Sequence, residues 1–90
     1  MVNIRNNAEL LTYLKDFKNY LEHDQTTSNY SITFLKQVND DLNDLIWPLD
    51  EELADKHKKE YIKLNSYGQI LILYKYIDIT INNLEAGKYE

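Results

Sequence analysis

The chain has ninety residues, of which 43% are hydrophobic, and this is enough for one packed core. Two domains of half this length would each need a metal or disulfide bonds to fold. The chain has no cysteine, which excludes disulfide bonds and thiolate zinc sites. Its formal net charge of −5 and its single arginine, Arg5, argue against direct nucleic-acid binding, which normally depends on clustered basic residues. We therefore expect residues 1–90 to form one domain.

Helical periodicity of the apolar residues fits most of the chain, and one proline with two glycines provides few of the turns that a many-stranded fold needs. The first predicted helix runs from about Ala8 to His23, with Glu9 in its first turn, where the helix dipole favours an acid. The polar residues 24–29 form the following loop. The apolar stripe of this helix consists of Leu10, Leu14, Phe17 and Leu21, widened by Leu11 and Tyr13.

The second predicted helix begins near residues 28–31 and ends at Trp47-Pro48, because the residue before a proline avoids the helical region. Its apolar seam consists of Leu35, Val38, Leu42 and Leu45, with Ile46 beside it. Pro48 suits the first turn of a third helix, whose N-terminus is complemented by the acids at 50–52. This third helix carries Leu49, Leu53, His57, Tyr61 and Leu64 on one side.

Residues 65–68 either end the third helix, with Ser66 capping a fourth, or kink one long helix. Beyond them, helical spacing relates Ile70, Leu73, Tyr74, Ile77, Ile81 and Leu84, and Gly87 suits a C-terminal cap. The β-branched and aromatic residues of 70–81 would also suit a strand paired with 30–38. Because no tight hairpin turn is present and the neighbouring segments are helical, we predict an all-α bundle of three or four helices. The alternative is an α+β fold with a short hairpin involving 70–81.

Motifs for catalysis or metal binding are missing from the sequence. It contains no phosphate-binding glycine loop, zinc-protease motif or serine-hydrolase motif. His23 and His57 are far apart, and His57 falls on the apolar side of the third helix, where a partly buried structural histidine is expected. The acids from Asp41 onward do not fit a calcium loop, because Ile46 stands where its turn requires glycine. We therefore predict no enzymatic activity, no metal and no cofactor.

Seven of the fifteen acidic residues lie between Lys36 and Lys56, in a stretch without a basic residue. They surround Trp47, the only tryptophan, at the predicted turn between the second and third helices. A tryptophan within a rim of like charges is typical of a protein-binding hot spot with electrostatic steering. The alternative is that Trp47 closes the end of the core and the acids form a solvated face. The predicted partner-binding residues are Asp40, Asp41, Asp44, Trp47, Asp50, Glu51, Glu52 and Asp55.

These features predict a small acidic protein-binding module of the inhibitor or immunity type, which neutralises or regulates a partner protein with a basic surface. The alternative is a homo-oligomeric structural or regulatory protein, in which Tyr and Ile faces of the last helix pair with a second copy, and a third hypothesis is a small enzyme or ligand carrier. The most apolar run, 69–81, is interrupted by Lys75 and Asp78, so we expect a cytoplasmic protein without a membrane span. Its many Asn, Ile, Lys and Tyr residues are typical of AT-rich genomes, including those of low-GC bacteria, phages and plasmids.

Overall fold

The computed structural model of the protein describes residues 6–23 and 31–89. Those residues form four α-helices: α1 is Asn7–His23, α2 is Ile32–Ile46, α3 is Glu51–Tyr61 and α4 is Ser66–Glu85. No strand occurs in this part of the chain, so the all-α prediction is confirmed and the alternative of a hairpin at 70–81 is wrong. The predicted loop at 24–29 lies outside the described residues. Within them, no helix is both long and apolar enough to cross a bilayer.

Each helix begins at a polar side chain that accepts a hydrogen bond from the backbone N–H three residues later, which satisfies one of the unpaired donors of the first turn. The four capping residues are Asn6, Ser31, Asp50 and Asn65, at N···O distances of 2.9–3.1 Å. Asn65 takes the role predicted for Ser66, which becomes the first residue of α4. Because α3 and α4 are separate helices, the alternative of one long kinked helix is wrong.

The turn between α2 and α3 differs in detail from the prediction. Trp47 keeps helical dihedral angles, φ −51° and ψ −46°, so the restriction on the residue before a proline does not end α2. Pro48 has no N–H to donate, and the N–H groups of Leu49 and Asp50 both donate to the carbonyl of Ile46. Asp50 then caps α3, which places Pro48 in the turn and not in the first turn of the helix.

α4 ends in a tight turn in which Gly87, at φ 73°, occupies the left-handed position that favours glycine. The N–H of Gly87 donates to the carbonyl of Leu84, and the C-terminal cap predicted at this glycine is confirmed. The turn directs Tyr89 back toward the N-termini of α1 and α3. There the Tyr89 carbonyl accepts a hydrogen bond from Asn7, and its hydroxyl donates to Asp50.

α4 is the central helix, because the other three helices all pack against it. α2 also packs against α3, whereas no Cα atom of α1 lies within 8 Å of a Cα atom of α2 or α3. α1 and α2 therefore meet only through side chains, and a groove runs between them. The core consists of buried apolar residues from all four helices: Leu10, Leu14, Leu21, Leu42, Ile46, Ala54, Leu73, Tyr76, Ile77, Ile81 and Leu84.

The buried face of α2 differs from the predicted apolar seam. Asn39 and Asn43 are buried, whereas Val38 and Leu45 are only half-buried. Val38 and Leu45 pack against the core but are only partly buried, whereas the other members of the predicted seam are buried as expected. The reason is that α3 presents polar partners to both asparagines and α4 presents one to Asn39, and a buried amide is stable only when its hydrogen bonds are satisfied. Two apolar side chains are turned toward α1 as a result.

Candidate protein-binding surface

Trp47 lies at the corner where α2 turns into α3. Its backbone N–H donates to the carbonyl of Asn43 at 2.9 Å, and its side chain is 49% exposed. Ile46, the preceding residue, is buried in the core. Trp47 is therefore not among the buried residues of the core, and about half of its surface is accessible. We name the surface formed by Trp47 and the seven surrounding acids the Trp47 corner; the acids are Asp40, Asp41, Asp44, Asp50, Glu51, Glu52 and Asp55.

Two of the acids on α3 form ion pairs within their own helix. Asp55 contacts Lys59 at 2.9 Å and Glu52 contacts Lys56 at 3.6 Å, each pair one helical turn apart. All four side chains are more than half exposed. Pairs of this kind stabilise a helix by only about 0.2–0.5 kcal/mol, so a lysine or arginine of a partner can replace them at little cost.

On α2, two aspartates accept hydrogen bonds from side chains of the protein itself. Asp41 accepts from the amide of Gln37 at 3.1 Å, and Asp40 accepts from the hydroxyl of Tyr61. Asp40 is thereby held beside the C-terminal end of α3. Asp41 is the next residue, so its side chain points about 100° further around the helix. It lines a cleft together with Tyr13 of α1. The structure therefore places these neighbouring acids on different sides of α2.

Asp50 serves the fold and is the least exposed of the seven acids. Its side chain is 16% exposed, caps α3, accepts a hydrogen bond from the Tyr89 hydroxyl at 2.8 Å and lies 3.6 Å from Lys88 Nζ. Partial burial opposes ionisation, but these partners outweigh it and lower the pKa of Asp50. Burial, reinforced by the hydrogen bond to Asp50, raises the pKa of Tyr89 to about 12. The Asp50 carboxylate is thus already engaged within the fold.

Asp44 and Glu51 are exposed and lie on either side of Trp47 in the chain. Among the described residues, neither carboxylate makes a hydrogen bond or an ion pair. Asp44 precedes Trp47 by three residues and therefore lies close to it on α2, while Glu51 is the first residue of α3. Trp47 therefore stands in the chain between two exposed acids whose charge has no neutralising partner in the described part of the chain.

Two adjoining clefts run along the groove between α1 and α2. The larger, of about 300 Å³, adjoins the Trp47 corner and is lined by Asn6, Asn7, Leu10, Asp44, Leu45, Pro48 and Leu49. The smaller, of about 90 Å³, is lined by Tyr13, Leu14, Phe17, Val38, Asp41, Leu42 and Leu45. We name these two clefts together the α1–α2 groove. The sequence signal for this groove is the apolar repeat at Val38 and Leu45, which the predicted binding residues do not include.

Beneath the corner, His57 of α3 lies at the centre of a buried polar network. The Asn39 amide donates to the carbonyl of Leu35 at 2.9 Å, so the acceptor for His57 Nε2, at 2.8 Å, is Asn39 Oδ1. The other ring nitrogen, Nδ1, accepts from the Asn43 amide at 3.4 Å. His57 is therefore neutral with its proton on Nε2, and burial lowers its pKa to about 4. The sequence predicted a partly buried histidine here; the side chain is fully buried.

The network continues through Gln69 of α4 to the acidic surface. The Gln69 side-chain amide donates to the carbonyl of Tyr61 at 2.7 Å. Its side-chain oxygen and its backbone carbonyl each lie 3.4 Å from the amide nitrogen of Asn39. Because the Tyr61 hydroxyl donates to Asp40, these contacts connect the interior of α2, α3 and α4 with the Trp47 corner.

The histidines of the described residues are engaged within the fold. Amide groups occupy both ring nitrogens of His57, and His23, exposed at the end of α1, contacts the carbonyl of Asn19 at 2.8 Å. No group of three or more His, Asp or Glu side chains in the described ranges is placed to hold a metal ion. The features with capacity to act on another molecule are the exposed indole, the carboxylates around it and the α1–α2 groove.

Comparison with known proteins assigns no family to the chain. No family model, curated protein or solved structure matches it. The case for a function therefore depends on the chemistry of the Trp47 corner and of the α1–α2 groove.

Proposed function

We propose that this protein is a small binding module that docks its Trp47 corner onto a basic surface of a partner protein and thereby neutralises or regulates it, as inhibitors and immunity proteins do. The observation that carries the proposal is the exposed indole of Trp47 between Asp44 and Glu51, whose carboxylates have no partner among the described residues. An aromatic anchor with a charged rim is the composition of a binding hot spot.

The parts of the corner have different physical roles in this proposal. The indole supplies apolar area that is removed from water on docking, and its N–H supplies a hydrogen-bond donor. Asp44 and Glu51 attract cationic side chains during the encounter, and in the described ranges no ion pair to either carboxylate has to break before it binds one. Asp50 does not belong to the proposed contact set, because Leu53, Tyr89 and Lys88 already engage its carboxylate.

Replacing Trp47 by alanine is expected to accelerate dissociation of the partner about 30-fold, which corresponds to about 2 kcal/mol of binding free energy. The native protein first serves as bait in affinity capture from the source cell, and mass spectrometry identifies the retained partner. Binding kinetics are then measured for the purified pair. Tyr20→Ala is the matched control, since Tyr20 is an aromatic residue 60% exposed on α1, and its dissociation rate is expected to stay within about twofold of native.

Glu51→Lys is expected to slow association and to flatten its dependence on salt, with little change in the dissociation rate, because exposed charges act mainly on the encounter. Glu22→Lys makes the same charge change on α1, outside the corner, and is expected to have a smaller effect. A Trp47→Ala, Glu51→Lys double variant with a native circular dichroism spectrum and native binding kinetics would show that the Trp47 corner is not the binding site.

A second candidate function is self-association through α4. Tyr67 and Leu71 are 72% and 51% exposed and lie one helical turn apart, which forms an apolar patch on that helix. The first candidate predicts a monomer of 10.7 kDa. Light scattering measures the mass in solution at about 100 µM protein, a concentration well above a micromolar dissociation constant for a dimer. A mass twice as large that returns to 10.7 kDa in a Leu71→Glu variant would favour the second candidate.

A further inference from the structure

The α1–α2 groove exposes apolar side chains at positions where the sequence pattern places a packing partner. On the α1 wall, the rings of Tyr13 and Phe17 stack with centroids 6.1 Å apart. On the α2 wall, Val38 and Leu45 are the two members of the predicted apolar seam that the core leaves half-buried. Among the described residues, no third helix lies over this groove, since α3 and α4 pack on other sides of α2. In the described part of the chain, the groove is therefore an apolar surface that no helix covers.

The charged side chains that the structure describes in the lining of the groove are all acidic. Its lining includes Asp41 and Asp44 and, within the described residues, no lysine or arginine. The Asp41 carboxylate is close enough to Tyr13 to add to the effect of burial in raising the pKa of that tyrosine. The cationic side chains of α1 lie on its other side: Lys15 pairs with Glu85 at 3.4 Å and Lys18 with Asp78 at 2.5 Å, both on α4. α1 thus presents its positive charge to α4 and an apolar, acid-flanked wall to α2.

The length of the groove's apolar lining matches the spacing of side chains along one face of a helix. Its two clefts adjoin at Leu45, and on α1 their apolar lining extends from Leu10 to Phe17, which is about 10 Å at 1.5 Å per residue. Apolar side chains seven residues apart on a helix are separated by about the same distance. Peptides that bind grooves between helices use anchors at this spacing.

We propose that the α1–α2 groove docks an amphipathic helix of a partner protein, with apolar anchors at positions i and i+7 and lysine or arginine residues along the flank that faces Asp41 and Asp44. The inference rests on the proposed protein-binding function and adds the chemistry of the partner. The anchors fill the two clefts, and the basic flank neutralises the aspartates as they lose contact with water.

A synthetic peptide tests this directly. The probe is an amphipathic helix of about five turns built from leucine and lysine, with the leucines on one face. One control peptide has glutamate in place of lysine, and another has the same composition in an order without helical periodicity. Each peptide is titrated into isotopically labelled protein. Only the periodic basic peptide is expected to shift the amide resonances of the groove, which include those of Tyr13, Phe17, Val38 and Leu45.

Matched variants of two corner acids, Asp41 inside the α1–α2 groove and Glu51 outside it, separate the groove from the rest of the Trp47 corner. Asp41→Lys is expected to weaken peptide binding at least about fivefold, whereas Glu51→Lys, with the same change of charge, is expected to weaken it less than about twofold. Val38→Trp is expected to fill the smaller cleft and abolish binding while the protein remains folded by circular dichroism. Equal weakening by Asp41→Lys and Glu51→Lys would overturn the groove proposal and place docking at the Trp47 corner.

Other outcomes also overturn the groove proposal. Equal binding of the acidic or the aperiodic peptide would show that charge or helical spacing is not recognised. Concentration-dependent shifts of the groove resonances without peptide would assign the groove to a second copy of this chain. Conversely, groove binding by the peptide together with unaltered partner kinetics in the Trp47→Ala, Glu51→Lys double variant would support the groove and reject the Trp47 corner.

Discussion

Lowering the pH from 7 to 4 is expected to reduce the free energy of unfolding by about 3 kcal/mol through His57 alone. His57 is fully buried, its two ring nitrogens bind Asn39 and Asn43, and the rings of Tyr61 and Tyr76 lie 4.8 Å from its own. An imidazolium would have to donate from both nitrogens, and Nδ1 faces an amide that already donates to it. Burial thus lowers the pKa of His57 to about 4, and the opposing attraction of Glu60 for the charged form is smaller.

The direction follows from proton linkage. The unfolded chain takes up the proton near pH 6.5 and the folded protein only near pH 4, so the stabilisation is complete above pH 6.5 and is lost as the pH falls toward 4. Urea unfolding at a series of pH values measures it. His57→Gln is expected to show a shallower decline between pH 6.5 and 4, whereas His23→Gln, at an exposed position, should decline like the native protein. A native-state His57 ring that titrates near pH 6.5 in an NMR experiment would contradict the prediction.

Asn39→Ala is expected to lower the free energy of unfolding by about 3 kcal/mol, because it removes the residue that joins three helices. The Asn39 amide group contacts the carbonyl of Leu35 in α2, the Nε2 of His57 in α3 and both oxygens of Gln69 in α4. Without it, the Nε2–H of His57 is buried with no acceptor, and the missing amide leaves a cavity. Each effect alone costs about 1–3 kcal/mol.

An asparagine on a helix surface provides the comparison. Asn19→Ala, in the exposed part of α1, is expected to change stability by less than about 0.7 kcal/mol and in the stabilising direction, since alanine is the better helix former. Thermal or urea unfolding of the two variants measures the difference. If Asn39→Ala and Asn19→Ala have similar stabilities, the buried network does not hold α2, α3 and α4 together.

The elements of this fold could be predicted from the sequence because their signals are local. Apolar residues at helical spacing mark the four helices, and Gly87 marks the end of the last one. The face of α2 that is buried could not be predicted in the same way. An apolar seam through Val38 and Leu45 and a mixed face through Asn39 and Asn43 are both consistent with the periodicity. The partners that decide between them lie about 15 to 30 residues further along the chain.

The candidate site was predictable as a group of residues but not as a surface. Seven acids around one tryptophan are visible in the sequence, and the exposed indole is consistent with that emphasis. Which of the acids contact other parts of the fold and which remain exposed depends on tertiary contacts. Asp50 binds Tyr89, 39 residues later, and Asp41 faces Tyr13 on a helix that precedes it. A local signal did exist for Asp50, since an aspartate followed by two glutamates and a leucine is a common start of a helix.

Cα atoms of α1 lie within 8 Å of Cα atoms of α4 but not of α2 or α3. This arrangement implies two levels of protection against amide hydrogen exchange. α2, α3 and α4 share the His57 network, so their slowest amides exchange only through global unfolding. α1 is held by its packing on α4, by side-chain contacts with α2 and by the Asn7–Tyr89 hydrogen bond, and it contributes no residue to the His57 network. We therefore expect the amides of α1, which forms one wall of the α1–α2 groove, to exchange faster than the slowest amides of α2, which forms the other.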